Sequence, residues 1–231
     1  MKQTKLVKAL AAATLGGALL VAGASAFAAD TADLSVKGTI IPSACVPSFS
    51  GGGVADFGTI KTADLTANDY TKIGTKSVTL TVTCSTNKNV GFNVMDNSAA
   101  SSLGADVLAA LGTGSANNVY GLGSTTINGN AVKLGSYVLT VDSKPTVDGA
   151  SYLFGWVVPG SGTTYNTSTA RFIDGTGKIG YAATQADSYG VAGKVFVFPI
   201  TVTAAINKGS ALPLTGDVSL NGQATFNVNY W

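Results

Sequence analysis

The sequence predicts an all-β fold, an antiparallel sandwich or barrel, on three observations. Apolar and polar residues alternate at period 2 in run after run, which places one apolar face on each run. Turn pairs containing Gly separate the runs, and Gly occurs 29 times in 231 residues. Helix-favouring residues are scarce: every acid is Asp, and Arg171 is the sole arginine.

The elements follow in chain order. Residues 34–40 alternate, and residues 54–60 form a second short candidate after the turn at Gly51, Gly52 and Gly53. The cleanest alternation is residues 77–84, where Val78, Leu80, Val82 and Cys84 share one face and threonines fill most of the other. Further strands are predicted over residues 90–95, 131–141, 152–158, 178–183, 194–205 and 224–230. Asn128-Gly129, Asp148-Gly149, Asp174-Gly175 and Asn221-Gly222 supply turns. One short helix is predicted over residues 103–111, where Leu103, Val107, Leu108 and Leu111 recur at helical spacing. It lies in residues 96–130, a stretch rich in Ala, Ser, Gly and Asn that reads as an insertion or long loop.

Residues 1–28 read as a secretory signal peptide. Lys2, Lys5 and Lys8 precede an uncharged apolar run over residues 9–21, and small residues end the segment at Ala26 and Ala28. Cleavage after Ala28 fits best, with Ala26 or Ala29 as alternatives. The apolar run is too short to span a bilayer and no comparable run follows, so the mature chain is expected to be exported without membrane insertion. Removal of the segment takes three of the 14 basic side chains, leaving 11 against 12 acids. The formal +2 of the full sequence is thus a property of the leader. The remaining lysines are scattered singly, which excludes a nucleic-acid partner.

The composition also excludes most catalysis. Charged residues make up 11% of the chain, against about 25% in an average domain. Without His there is no Ser-His-Asp or Cys-His triad and no His-ligated metal, and one Arg leaves little for clamping phosphates or carboxylates. Cys45 and Cys84, an even pair in an exported chain, read as a disulfide, since two thiols without His or Glu do not complete a zinc shell. No enzyme activity, metal or cofactor is expected.

Several motifs take bland readings. Residues 175–180 satisfy Gly-x-Gly-x-x-Gly, but the motif starts from a turn and runs into strand-like sequence, so it reads as a tight turn. Asp142 with Asp148, or Asp174 with Asp187, read as loop acids, and Asn166-Thr167-Ser168 as a polar loop. Tyr152, Phe154 and Trp156 share one alternating face and read as core. The final residues alternate with Ala224, Phe226, Val228 and Tyr230 on the apolar face; Asn227 and Asn229 are in register with Trp231, one residue out from the terminal pattern of an outer-membrane barrel.

The phrase Gly38-Thr39-Ile40-Ile41-Pro42-Ser43-Ala44-Cys45, then Asp56-Phe57-Gly58-Thr59-Ile60, then residues 77–84, together with the alternating C-terminus and its penultimate Tyr230, resembles the chaperone-usher fimbrial subunits, and within them an uncharacterised group of Gram-negative fimbrial-like proteins. The resemblance covers about the first third of the mature chain and its last ten residues. It implies an immunoglobulin-like sandwich, pilin-like and lacking its final strand, over residues 38–231. Residues 29–37 would be an N-terminal extension that donates a strand through Ala32, Leu34 and Val36. The open groove edge would comprise Ala224, Phe226, Val228 and Tyr230, with the Trp231 carboxylate held by basic side chains of a chaperone. Val218 stands where many such subunits carry Gly. The implied partners are a periplasmic chaperone, an outer-membrane usher and other pilin-like subunits; the implied location is a cell-surface fimbria reached through the periplasm, supporting adhesion. The alternative is a self-contained secreted or periplasmic binding module, for instance for glycans, using loops in residues 96–130 or 160–171.

Overall fold

The computed structural model describes residues 34–38, 44–141, 144–157, 164–167, 171–185 and 190–231. The chain divides after residue 40 into two units. The first contributes only residues 34–38 to this description, and they form no strand ladder; Leu34 and Val36 are each 90% exposed. Alternation marks a segment able to pair but supplies no partner for its backbone. The expected signal segment and cleavage positions, with Ala32, Asp142, Asp187 and Ser168, lie outside the described residues.

The second unit is an antiparallel β-sandwich. In chain order its strands are β1 (Cys45–Phe49), β2 (Thr71–Asp96), β3 (Tyr120–Gly121), β4 (Ser124–Ile127), β5 (Asn130–Lys133), β6 (Gly135–Val141), β7 (Thr146–Val147), β8 (Ala150–Ser151), β9 (Leu153–Val157), β10 (Thr164–Thr167), β11 (Arg171–Phe172), β12 (Gly180–Thr184), β13 (Ala192–Ile206) and β14 (Ala224–Tyr230). One sheet runs β1-β2-β13-β6-β11, with β7 also beside β13 and β3 also beside β6; the other runs β14-β2-β12-β9-β10. A small hairpin of β4 and β5 stands apart.

Strand β2 belongs to both sheets. Residues 71–89 pair with β13, whereas residues 90–96 pair with β14 and, at Gly91 and Phe92, with β12. The crossing falls where β13 shifts register between Gly193 and Val195, skipping β2 residues between Lys88 and Thr83. The two strands read from the sequence as residues 77–84 and 90–95 are therefore one. Its inward residues Leu80, Val82, Val90, Phe92 and Val94 are buried at 0–1% exposure and form the centre of the core with Phe154, Tyr181, Phe196 and Phe198. Phe92 is the hub: its ring meets those of Phe154, Tyr181, Phe198 and Phe226 at centroid distances of 5.1–6.3 Å.

The Cys45–Cys84 disulfide is formed, and it joins directly opposed residues of β1 and β2. Two Asx-Gly pairs make the hairpin turns expected of them: Asn128 and Gly129 have φ of 50° and 79° between β4 and β5, and Asp148 and Gly149 have 49° and 85° between β7 and β8. Tyr152, Phe154 and Trp156 pack on the core, as read.

Three elements depart from expectation. Residues 54–60 form no strand: the Gly58 N–H donates to the Asp56 side chain at 2.7 Å, a local turn that competes with a ladder. The run 131–141 breaks at Leu134 into β5 and β6. The helix in 103–111 is a 3₁₀ turn, Gly104–Val107, followed by a single α-helical turn, α1 (Leu108–Leu111). The stretch 96–130 is ordered by its own cluster, Val107, Leu111 and Val119 against Val138 and Ala205, and by Asp96 at the end of β2. That buried carboxylate accepts the Ser98 N–H at 2.8 Å and the Gly121 N–H at 2.9 Å, tying both ends of the loop to one side chain.

Candidate functional site

The two sheets share β2, and each ends beyond it on one strand: β1 in the first, β14 in the second. Among the described residues β1 and β14 each pair with β2 alone, so each has one open edge. The two strands meet at Phe49 and Phe226, whose rings lie edge to face at 5.1 Å.

The terminal hydrogen bonds fix which groups face outward. Trp231 donates its N–H to the Asn89 carbonyl and a terminal oxygen takes the Asn89 N–H, both at 3.1 Å, while the Gln223 carbonyl accepts from Asn97 at 2.9 Å. Residues 223 and 231 thus face β2, and so, by antiparallel alternation, do 225, 227 and 229. The backbone N–H and C=O groups of Ala224, Phe226, Val228 and Tyr230 point to the open edge. In β1 the Ala44 carbonyl accepts from Ser85 at 3.0 Å, which turns residues 44, 46 and 48 toward β2 and leaves Cys45, Pro47 and Phe49 outward. Proline on the outward set of an edge strand costs no ladder bond to β2.

The side chains here are unfinished core. Ala224, Phe226 and Val228 are only half-buried although their partners across the ladder, Asp96, Val94 and Phe92, are buried. Cys45 and Phe49 on β1 are half-buried in the same way, while Tyr230 is 43% and Trp231 50% exposed. The Trp231 ring lies close over Gly91 and Gly190. The structure thus brings Ala224, Phe226, Val228 and Tyr230 onto one strand edge beside β1, whereas Trp231 follows the strand and turns its backbone groups to β2. Sequence reasoning missed Phe49 as the contact across the edge; its signal was its place four residues after Cys45, on the same face as that cysteine.

A second feature lies at the other end of the strand order. Arg171 of β11 stacks its guanidinium on the Trp156 ring of β9, with Cζ 3.6 Å from the ring centroid. The residue borders a cavity of about 380 Å³. The Gly-x-Gly-x-x-Gly stretch nearby is a turn, as read: Asp174 accepts from the Thr176 N–H at 2.7 Å and from its hydroxyl, and Thr176 bridges to Met95. Among the described residues no group of His, Cys, Asp or Glu is arranged to hold a metal ion.

Comparison with known proteins gives one family match and two relatives. Residues 34–138 match a family described as "Protein of unknown function (DUF1120)". The chain is 33% identical over 141 aligned positions to "Uncharacterized protein YhcF" of Escherichia coli (strain K12), a match that covers 54% of this chain and 58% of YhcF. It is 26% identical over 253 aligned positions to "Protein GltF" of the same organism, covering 96% of this chain and 98% of GltF. The chain is therefore similar along nearly all of its length to one Escherichia coli protein, and from β1 through β5 into the first half of β6 to a family of unknown function.

Proposed function

We propose that the chain is a structural subunit of a fimbria or fimbria-like surface fibre, assembled by strand donation through a periplasmic chaperone and an outer-membrane usher. One observation carries this reading: two open strand edges, β1 and β14, face one another across half-buried apolar side chains. An extended segment lying between them would accept from the outward N–H groups and donate to the outward C=O groups of residues 224, 226, 228 and 230, and cover Phe226 and Val228 with alternate side chains. Residues 29–37 of another copy supply a segment of suitable pattern through Ala32, Leu34 and Val36, and a chaperone strand fills the place before assembly. The terminal oxygen held by Asn89 sits at the end of that edge, where a chaperone's basic side chains would reach the Trp231 carboxylate. The near-neutral, His-free composition fits a building block. The exported fibre is the expected location.

The test is polymer formation. Chain exported to the periplasm with its chaperone and usher should give an SDS-resistant ladder before boiling, and deletion of residues 29–37 should abolish it. A stable monomer that refolds alone with the segment intact would refute the assembly and favour a self-contained binding module.

A further inference from the structure

The sole arginine of the chain, Arg171, has its guanidinium stacked on Trp156 and paired with no carboxylate among the described residues. Arg171 is half-buried, its Nε is buried without a hydrogen-bond partner, and its guanidinium forms no hydrogen bond among the described residues. A buried donor left unpaired costs roughly 1–3 kcal/mol, and the part of the group that borders the cavity is what an external anion would meet. Burial also draws its pKa below the ordinary value, against a smaller opposing effect of Tyr181. The Trp156 ring covers one face and fixes the plane of the fork, so the group is pre-organised for a planar, bidentate anion.

The surroundings narrow the class of anion. The cavity of about 380 Å³ beside Arg171 is lined by Ser115, Asn118, Asp174 and Tyr181, and its size is at the small end of ligand pockets, which run from roughly 300 to 1,000 Å³. One carboxylate lines the cavity with the single cation, so a dianionic phosphate meets repulsion that a monoanion meets less. A hydroxyl, an amide and a carboxylate are partners for sugar hydroxyls, and Phe172 offers aromatic surface. We propose that this cavity binds an acidic monosaccharide unit, a hexuronic acid, with Arg171 on its carboxylate and Asn118 and Asp174 on its hydroxyls. The site stands on β11, β12 and the 115–118 loop, shares no lining residue with β1 or β14, and does not depend on the assembly proposed above.

A sole arginine gives one guanidinium Nε–H resonance, which makes the test direct. The ¹⁵N-labelled protein, purified from the periplasm in the soluble form in which it is isolated, is titrated with glucuronate, galacturonate, glucose, acetate and inorganic phosphate. The uronates should move the Arg171 Nε–H and the Trp156 indole signals saturably at roughly millimolar concentration, and glucose should not. Trp231→Phe identifies the Trp156 signal. Arg171→Lys, which keeps the charge and loses the fork, should weaken uronate binding by about tenfold or more. Should that variant fail to fold, Asn118→Ala should still weaken uronate and leave acetate unchanged. The proposal is overturned if saturating uronate leaves both signals in place, if acetate or phosphate moves them as effectively as uronate, or if the folded variants bind uronate as tightly as the parent.

Discussion

A peptide of residues 29–38, added to a chain whose own Leu34 and Val36 are replaced by Asp, should raise the stability of the sandwich. Leu34 and Val36 begin 90% exposed, and full burial of each is worth roughly 1.5–3 kcal/mol, about 3–6 kcal/mol for the pair. A peptide carrying Asp at both positions forfeits that and adds the cost of burying charge. At a hundredfold excess over its Kd the native peptide stabilises by about 2.7 kcal/mol, which for a domain of this size moves Tm by roughly 5–10 °C. The receiving edge supplies the second arm. Truncation of a fully buried Phe costs about 3–5 kcal/mol; Phe226 is half-buried and touches the rings of Phe49 and Phe92. Phe226→Ala should therefore cost about 1.5–2.5 kcal/mol in the uncomplemented protein and more when the peptide has sealed the groove, so the peptide-induced shift shrinks. Thermal unfolding followed by near-UV circular dichroism reads both arms. If the Asp-substituted peptide stabilises as well as the native one, or if Phe226→Ala leaves the native peptide's shift intact, the open-edge reasoning is wrong.

Three further outcomes follow from the fold. Cys84→Ser should lower stability by roughly 4 kcal/mol, the loop-closure contribution for a ring of about 40 residues, and a loss below about 1 kcal/mol in denaturant titration would show that β1 is held by packing alone. The carboxyl of Asp96 has its pKa raised above the ordinary 3.8 by burial, against the lowering effect of the Gly121 and Ser98 N–H bonds. The folded state therefore binds the proton more tightly than the unfolded, so this group's contribution to stability declines as pH rises from 3.8 through the raised value. Asp96→Asn should remove that slope from urea midpoints measured across the acidic range, and an unchanged slope would contradict the assignment. At Gly135, in β6, an added Cβ would lie 2.4 Å from the Ala205 carbonyl oxygen, so Gly135→Ala should cost about 1–3 kcal/mol by overpacking; a neutral effect on Tm would show that β6 and β13 can part.

What the sequence revealed was largely parity. Val78, Leu80, Val82 and Cys84 have the same parity as Val90, Phe92 and Val94, so the inward phase survives the polar stretch from Ser85 to Asn89 and the two runs are continuous as β2. Thr86 and Lys88 occupy inward parity without being buried, and that is the point at which the strand leaves one sheet for the other. Alternation reports the face of a strand and is silent on its neighbours, which is why the crossing read as a gap. For the same reason β14 was legible to the residue while residues 54–60 were misread: both carry strand-like residues, but only β14 has a partner whose ladder outweighs local side-chain bonding.

The functional features divide along the same line. That Ala224, Phe226, Val228 and Tyr230 share an apolar face is a local property, visible in seven letters. That their backbone groups point to an open edge depends on β14 and β1 ending the two sheets on the same side of β2, a property of topology that no local pattern encodes. Arg171 and Trp156 are further from legibility: 15 positions apart, they meet because β11 pairs with β6 in one sheet while β9 pairs with β12 in the other. The one signal was scarcity. In a chain that carries so few charges, a single guanidinium held half-buried with no hydrogen bond among the described residues carries a desolvation cost set against its stack on Trp156, and an exchange of Arg171 for Leu would remove both. If Arg171→Leu proves more stable than the parent in urea titration, as expected where a buried cation lacks a partner, the arginine is kept for something other than the fold; if it proves less stable, the stack on Trp156 is structural and the case for a bound anion fails with it.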